Sequence, residues 1–482
     1  MKLRGADVLA RALAAAGTKH VFALSGNHVM PVFDAALEAK LPLVHVRHEA
    51  AAVHMADAWG RLTGQPGIAL VTGGPGHANA VSALYTALAA ESPMLLISGH
   101  APLDELGKGA FQEMRQAEVA APLAKASWTA QSVDGLARDI VLAWRLALSG
   151  RPGPVHLSVP NDVLDACTEG PILGRQHFEV EGARTAPPPE LLEAKRPLII
   201  AGPSAMREPL ECGIPVIGME SPRGVNDPSL GRLAEILKQA DVVLLLGKRA
   251  DFTLRFGQAF AENCRILESE RLASFSVERA QWFDEVTAAL RYRPAEWTNI
   301  RESLHPVAVC REVQKLLDEP DAVLVSDGGE FGQWAQACLG APRRVINGPA
   351  GSIGSALPFA AATKLALPRS RVVAMLGDGT FGFHMSEIDT AVRYKLDYLA
   401  VVGNDATWNA EYQIQLRAYG AHRARGCELL PTRYGAVAAA LGAHGEDVTN
   451  FRELKDALER AAACGGPACV NIMIERVAAP KY

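Results

Sequence analysis

The chain has 482 residues, 49% of them hydrophobic and 21% charged, with a formal net charge of -5. That length exceeds one ordinary core and implies about two to four folding units of globular composition. So small an acidic excess gives no reason to expect a nucleic acid or membrane partner. In the opening segment MKLRGADVLARALAAAGTKH, Val8, Leu9 and Leu13 stand at helical spacing with Asp7 and Arg11 among them. This predicts an amphipathic first helix rather than a signal peptide, and with it a cytoplasmic protein. The eight cysteines form no C-x-x-C pair and read as reduced and inert.

Strand-like runs then alternate with helix-period segments, which predicts α/β architecture with mostly parallel sheets. The runs VFAL, LVHV, IALVT, MLLIS and VHLSV fall in a first domain, 1–165, and 166–190, with its proline triplet, reads as a linker. A smaller block, 191–297, holds LIIAG, PVIG, VVLLLG and RILE, and the last, 298–482, holds VLVSDGG, VING, VVAMLGDG, LAVVGND and ACVNIMIE. The first and last blocks match in size and texture, so we expect three doubly wound parallel sheets, two of them related.

In the last block VVAMLGDGTFG (372–382) meets the spacing G-x-G-x-x-G, which suggests a dinucleotide site. Yet Asp378 would face a pyrophosphate of its own sign. A magnesium ion between them resolves the conflict, because it takes oxygen ligands and bridges carboxylates to phosphates. A second oxygen donor is then expected at the end of the next strand, and LAVVGNDATWNAE (399–411) supplies Asp405, 27 residues after Asp378, with the Thr407 carbonyl as a third ligand.

This pair of segments resembles the cofactor motif of thiamine-diphosphate-dependent enzymes, which runs from Gly-Asp-Gly to paired asparagines. Asp405 stands where the family usually has asparagine. RHEAAAVHMADAWGRLTG (47–64) and TGGPGHANA (72–80) are similar to the first domain of the acetolactate synthase, benzaldehyde lyase and 2-hydroxyacyl-CoA lyase group. The resemblance implies pyrimidine-binding, shortened middle and diphosphate-binding domains, with thiamine diphosphate and Mg2+ as cofactors. It makes Glu49 the carboxylate that polarises the aminopyrimidine and adds Gly76 and Asn79 to the cofactor site. GPAGSIGSALPF (348–359) resembles the family segment that supports the bent cofactor, with Ser352 and Ile353 there, and Ile353 would fit ordinary core equally well. Gly329, Glu330 and Phe331 would form a loop against the diphosphate. Gly377, Gly379, Thr380, Trp408 and Asn409 complete the set, Trp408 chiefly by packing, with Glu411 at the border.

Such a site acts through a carbanion at C2 of the thiazolium and leaves specificity to the side chains above it. Asn27, His28 and Gln112 occupy loops where relatives contact substrate. His28 is either a proton relay or an exposed loop histidine, and His48, His54, His77 and His384 read as structural. The expected reaction is carbon-carbon lysis or carboligation on a small 2-oxo acid or 2-hydroxy ketone. The alternatives are a 2-hydroxyacyl-CoA lyase or oxalyl-CoA decarboxylase-like enzyme, whose middle block DVVLLLGKRADFTLRFG (241–257) resembles, and a non-catalytic regulatory subunit that keeps the cofactor. A middle block shortened after AGPSAMREPLE (201–211) argues against a bound FAD, ADP or coenzyme A nucleotide, and an end at Tyr482 against a C-terminal lid. The resemblance implies a homodimer with active sites at the interface, or a tetramer as is common among relatives.

Overall fold

The computed structural model describes residues 2–170, 173–180, 182–208 and 210–480. The chain divides into two compact units, 1–182 with 361–366, and 183–360 with 367–482. The second unit therefore holds both the middle block and nearly all of the last one.

The first unit is built on a six-stranded parallel sheet in the spatial order Leu43–His45, Val21–Ala23, Gly67–Val71, Met94–His100, Pro154–Pro160 and Ala126–Thr129. Its central strands are buried throughout, as continuous apolar runs require when both faces are covered. The predicted first helix is present as Gly5–Ala16 and buries Leu9 and Leu13 in one core with Ile68, Leu70, Leu95 and Leu157, while Val8 packs with Leu3 and Ala137. The helix Glu49–Thr63 is capped by His48, whose ring accepts the Ala50 N–H, and stops at Gly64 in the left-handed region. In the stretch read as a linker, Phe178 is buried edge-on against Trp144, 5.7 Å between centroids, and belongs to the same core.

The second unit carries two sheets. A four-stranded parallel sheet runs Val216–Gly218, Pro197–Ala201, Val242–Leu246, Arg265–Ser269. A six-stranded parallel sheet runs Arg343–Ile346, Val323–Ser326, Val372–Gly377, Leu399–Asn404, Ala468–Met473, His444–Val448. Numbered along the chain, both six-stranded sheets have the order 2-1-3-4-6-5, a shared topology that accounts for the similar texture of the first and last blocks. In that order the chain reverses direction between the first and third strands, so the loops after Ser326 and Gly377 open onto one crevice. No helix among the described residues is long and apolar enough to cross a membrane.

Candidate functional site

In the first unit Glu49 begins its helix and is only 9% exposed. Its Oε2 accepts a hydrogen bond from Asn79 Nδ2 at 3.1 Å. Gly76 lies one turn before Asn79 on the helix Pro75–Ala89, where a Cβ would come within 3.4 Å of Glu49 Oε1 and 2.7 Å of Thr72 Cγ2. Three of the predicted residues thus stand side by side, and glycine at 76 leaves the space beside the carboxylate unfilled.

His28 is buried, which excludes the exposed-loop reading. Its Nδ1 lies 3.4 Å from Thr72 Oγ1, and its ring stands 6.1 Å from that of exposed Phe111. Burial, with His100 nearby, lowers its pKa and so favours the neutral ring. Asn27 is exposed beside it. Gln112 is half-buried and takes a left-handed φ of 57°, with its backbone pressed on Gly74.

Sequence reasoning missed Gln116, which is 1% exposed. Its Oε1 accepts the Gly74 N–H at 2.7 Å, and its Nε2 donates to Gly99 O and Ser158 Oγ, both at 2.9 Å. It ties together the ends of three neighbouring strands. Nothing local marks it, because a lone glutamine on a polar segment acquires this role only through long-range contacts. His77, read as structural, packs that way: its Nδ1 meets Ser98 Oγ at 2.8 Å, an oxygen that His156 Nε2 also reaches at 3.2 Å.

In the second unit the register sets Gly377 opposite Gly403, so Asp378 and Asp405 leave adjacent strand ends. Asn404 turns away: its Nδ2 donates to Thr432 O and Asn471 Oδ1, and its Oδ1 accepts the Ala406 N–H. Asp405 instead faces a cavity of about 230 Å³ that also contains Gly329, Glu330, Phe331, Ile353, Gly377, Asp378, Gly379, Thr380, Thr407, Trp408, Asn409 and Glu411 in its wall. Ser352 is the exception among the predicted residues, absent from that wall and with its carbonyl engaged by Asn347 Nδ2 at 2.8 Å.

Two glycines are required by close packing. A Cβ at Gly379 would meet the Trp408 ring at 2.5 Å, and one at Gly403 the Phe331 ring at 2.4 Å. Asp327, whose role the sequence did not disclose, is fully buried and accepts the amide N–H groups of Gly328, Gly354 and Ala356 at 2.8 to 3.1 Å. One carboxylate thereby holds two of the loops that line the cavity. His384 is buried, with Nδ1 2.7 Å from Gly354 O, a packing role at the end of the short helix Asp378–His384.

The cavity is electrostatically incomplete. Burial pushes the Asp378 carboxyl up to about 6, although the amides of Gly379, Thr407 and Ala406 favour its charged form. Asp405 is pushed up to about 7, first by burial and then by the charge of Asp378, with Arg476 and Asn409 offsetting part of the rise. Asp378 Oδ2 is buried without a hydrogen-bond partner. Two adjacent acids with an unfilled inward oxygen suit a divalent cation, which would supply the missing partner and draw both carboxyls back to the ionised state. The residues present therefore fit a metal-bridged phosphate ligand.

Both ends of the chain match family models: residues 3–119 match the N-terminal TPP binding domain of thiamine pyrophosphate enzymes, and residues 327–472 match the C-terminal TPP binding domain. Relatives extend over the full length. An acetolactate synthase large subunit of Mycobacterium tuberculosis, IlvG, is 33% identical over 98% of this chain and 96% of its own. The 2-hydroxyacyl-CoA lyase 2 of Danio rerio is 30% identical over 98% and 91%, and that of Homo sapiens 30% over 98% and 90%. The acidic pair at neighbouring strand ends, the buried glutamate opening a helix in the first unit and these whole-chain likenesses converge, and the chain belongs to the thiamine pyrophosphate enzyme family.

Proposed function

We propose that the protein is a Mg2+- and thiamine-diphosphate-dependent carbon-carbon lyase or carboligase acting on a small 2-oxo acid or 2-hydroxy ketone. The observation that carries this reading is the pairing of Asp378, with its partnerless Oδ2, and Asp405 at the mouth of one cavity. When bound, the cofactor supplies an electron sink for the carbon-carbon bond that breaks or forms. Asp378, Asp405 and the Thr407 carbonyl hold the metal. The loop Gly329 to Phe331, with Gly377, Gly379, Thr380 and Asn409, receives the diphosphate, while Ile353 and Trp408 give apolar support. Glu49, kept accessible by Gly76 and oriented by Asn79, polarises the pyrimidine nitrogen. His28, neutral because it is buried, is available to accept a proton beside Gln112 and Asn27.

A second reading, a 2-hydroxyacyl-CoA lyase, is favoured by the relatives of that name, which are similar over nearly the whole chain. The working form in either case is a homodimer, as the family resemblance implies, and sedimentation measures it.

Calorimetric titration with Mg2+ and thiamine diphosphate tests the cofactor assignment, and no heat and no thermal stabilisation would overturn it. Incubation with pyruvate, benzoin-type ketones and 2-hydroxyacyl thioesters, followed by NMR, separates the two readings. Glu49→Gln is expected to leave cofactor affinity within a few-fold of wild type while slowing C2 proton exchange by about 10²-fold or more. Unchanged exchange removes Glu49 from its role.

A further inference from the structure

We infer that Arg223, on a loop of the four-stranded sheet, binds phosphate oxygens of the cofactor in the cavity of the second unit. The inference rests on the proposed placement of the diphosphate there.

The loop follows the strand Val216–Gly218 and is tied by its own backbone hydrogen bonds. Ser221 Oγ accepts the Arg223 N–H at 3.2 Å, and Ser221 O accepts that of Gly224 at 3.1 Å. Gly224 has a φ of 53° and sits so close to Thr253 that a Cβ would fall 2.1 Å from its carbonyl oxygen. No other residue type fits that corner, so the chain is constrained to deliver Arg223 to this position.

Arg223 is the one cationic side chain among the described residues of the cavity wall, against the four carboxylates of Glu330, Asp378, Asp405 and Glu411. Its side chain is only 23% exposed, and its closest acid, Glu330 Oε2, is 4.0 Å from Nη2, beyond hydrogen-bond reach. That Glu330 oxygen already accepts the Ala479 N–H at 3.1 Å. A largely buried guanidinium that makes no side-chain hydrogen bond among the described residues has the planar fork that matches phosphate oxygens. Glu330 lies in the first turn of the ten-residue helix Gly329–Cys338, so Arg223 stands beside the N-terminus of that helix. The charge inventory points the same way. A divalent cation is balanced by Asp378 and Asp405, and the remaining negative charge of a diphosphate then needs a counterion, which Arg223 provides from the described residues of the cavity wall.

The test uses the full-length protein with thiamine diphosphate at saturating Mg2+, titrated by calorimetry or by intrinsic tryptophan fluorescence, to which Trp408 in the cavity wall contributes. The variants are Arg223→Gln and Arg223→Met, the second preserving the packing of the aliphatic stem, each in the native and the Glu330→Gln background. Both are expected to bind the cofactor about tenfold or more weaker than wild type, by a similar factor in either background. Dissociation constants within twofold of wild type overturn the inference. A loss that disappears in the Glu330→Gln background also overturns it, because Arg223 is then only the counterion of Glu330. Unchanged cofactor affinity with a raised KM for a 2-oxo acid overturns it in favour of a substrate carboxylate. A wild-type protein that binds no thiamine diphosphate refutes the cofactor reading itself, which separates the two failures.

Discussion

Asp405→Asn in the metal-free protein isolates the consequence of placing two acids at adjacent strand ends. Burial and Asp378 raise the Asp405 carboxyl from 3.8 to about 7. Between those values the folded chain holds a proton that the unfolded chain has released, so stability is fully present below about pH 4 and is lost as pH rises toward 7. The rise of roughly three pH units, at about 1.4 kcal/mol each, corresponds to about 4 kcal/mol lost by pH 8. Asparagine keeps the shape and cannot ionise, so the variant should retain that stability and also relieve Asp378. The assay is thermal unfolding with a chelator present, from about pH 5 to 8.5. The wild-type midpoint should fall with pH relative to the variant, and the gap should close toward acid. Added Mg2+ should raise the wild type more than the variant, which offers the ion one charge fewer. Parallel curves for the two proteins across the whole range would refute the reasoning.

Other expectations follow from single contacts. Arg61 pairs with the wholly buried Asp57 at 2.5 Å, so Arg61→Met strands a buried charge and should cost about 3 to 5 kcal/mol in urea unfolding. Gly403→Ala drives a methyl group into the Phe331 ring, for an expected loss of about 1 to 3 kcal/mol and weaker cofactor binding by calorimetry. Burial lowers His77 from 6.5 to about 4, so its contribution is present above pH 6.5 and lost as pH falls through 4, roughly 3 kcal/mol in all. Acid unfolding of His77→Gln should be correspondingly shallower, and an unchanged profile would remove His77 as a source of acid lability.

The central strands were legible because their burial is written locally. LLIS, VVLLLG and VVAMLG are runs that water disfavours on both faces, and the structure places a strand on each. Two strands of the six-stranded sheets were not legible, Ala126–Thr129 and His444–Val448, and they occupy the same edge position in both. Each is only partly buried along most of its length, so neither carries an apolar run or a clear alternation. An edge strand has a neighbour on one side only and is recruited by a partner strand already in place. The same distinction holds at the site. Asp378 and Asp405 could be read from their motif and spacing, and the choice of Asp405 over Asn404 follows from which of them the strand end turns inward.

The sequence by itself determined the alternation of strands and helices, the acidic pair of the Gly-Asp-Gly segment and its partner, and the glutamate that opens the helix at 49. Those features depend on neighbours within a few residues or on one strand-to-strand spacing. Only the tertiary structure decided that Gln116 joins three strand ends, that Asp327 holds two loops, that His28 is buried and neutral, and that an arginine from the four-stranded sheet enters the cavity. Each of these roles is created by groups distant in sequence that become neighbours only on folding. A polar residue in a loop carries no local signal of the partners it will meet, whereas an apolar run states its own burial.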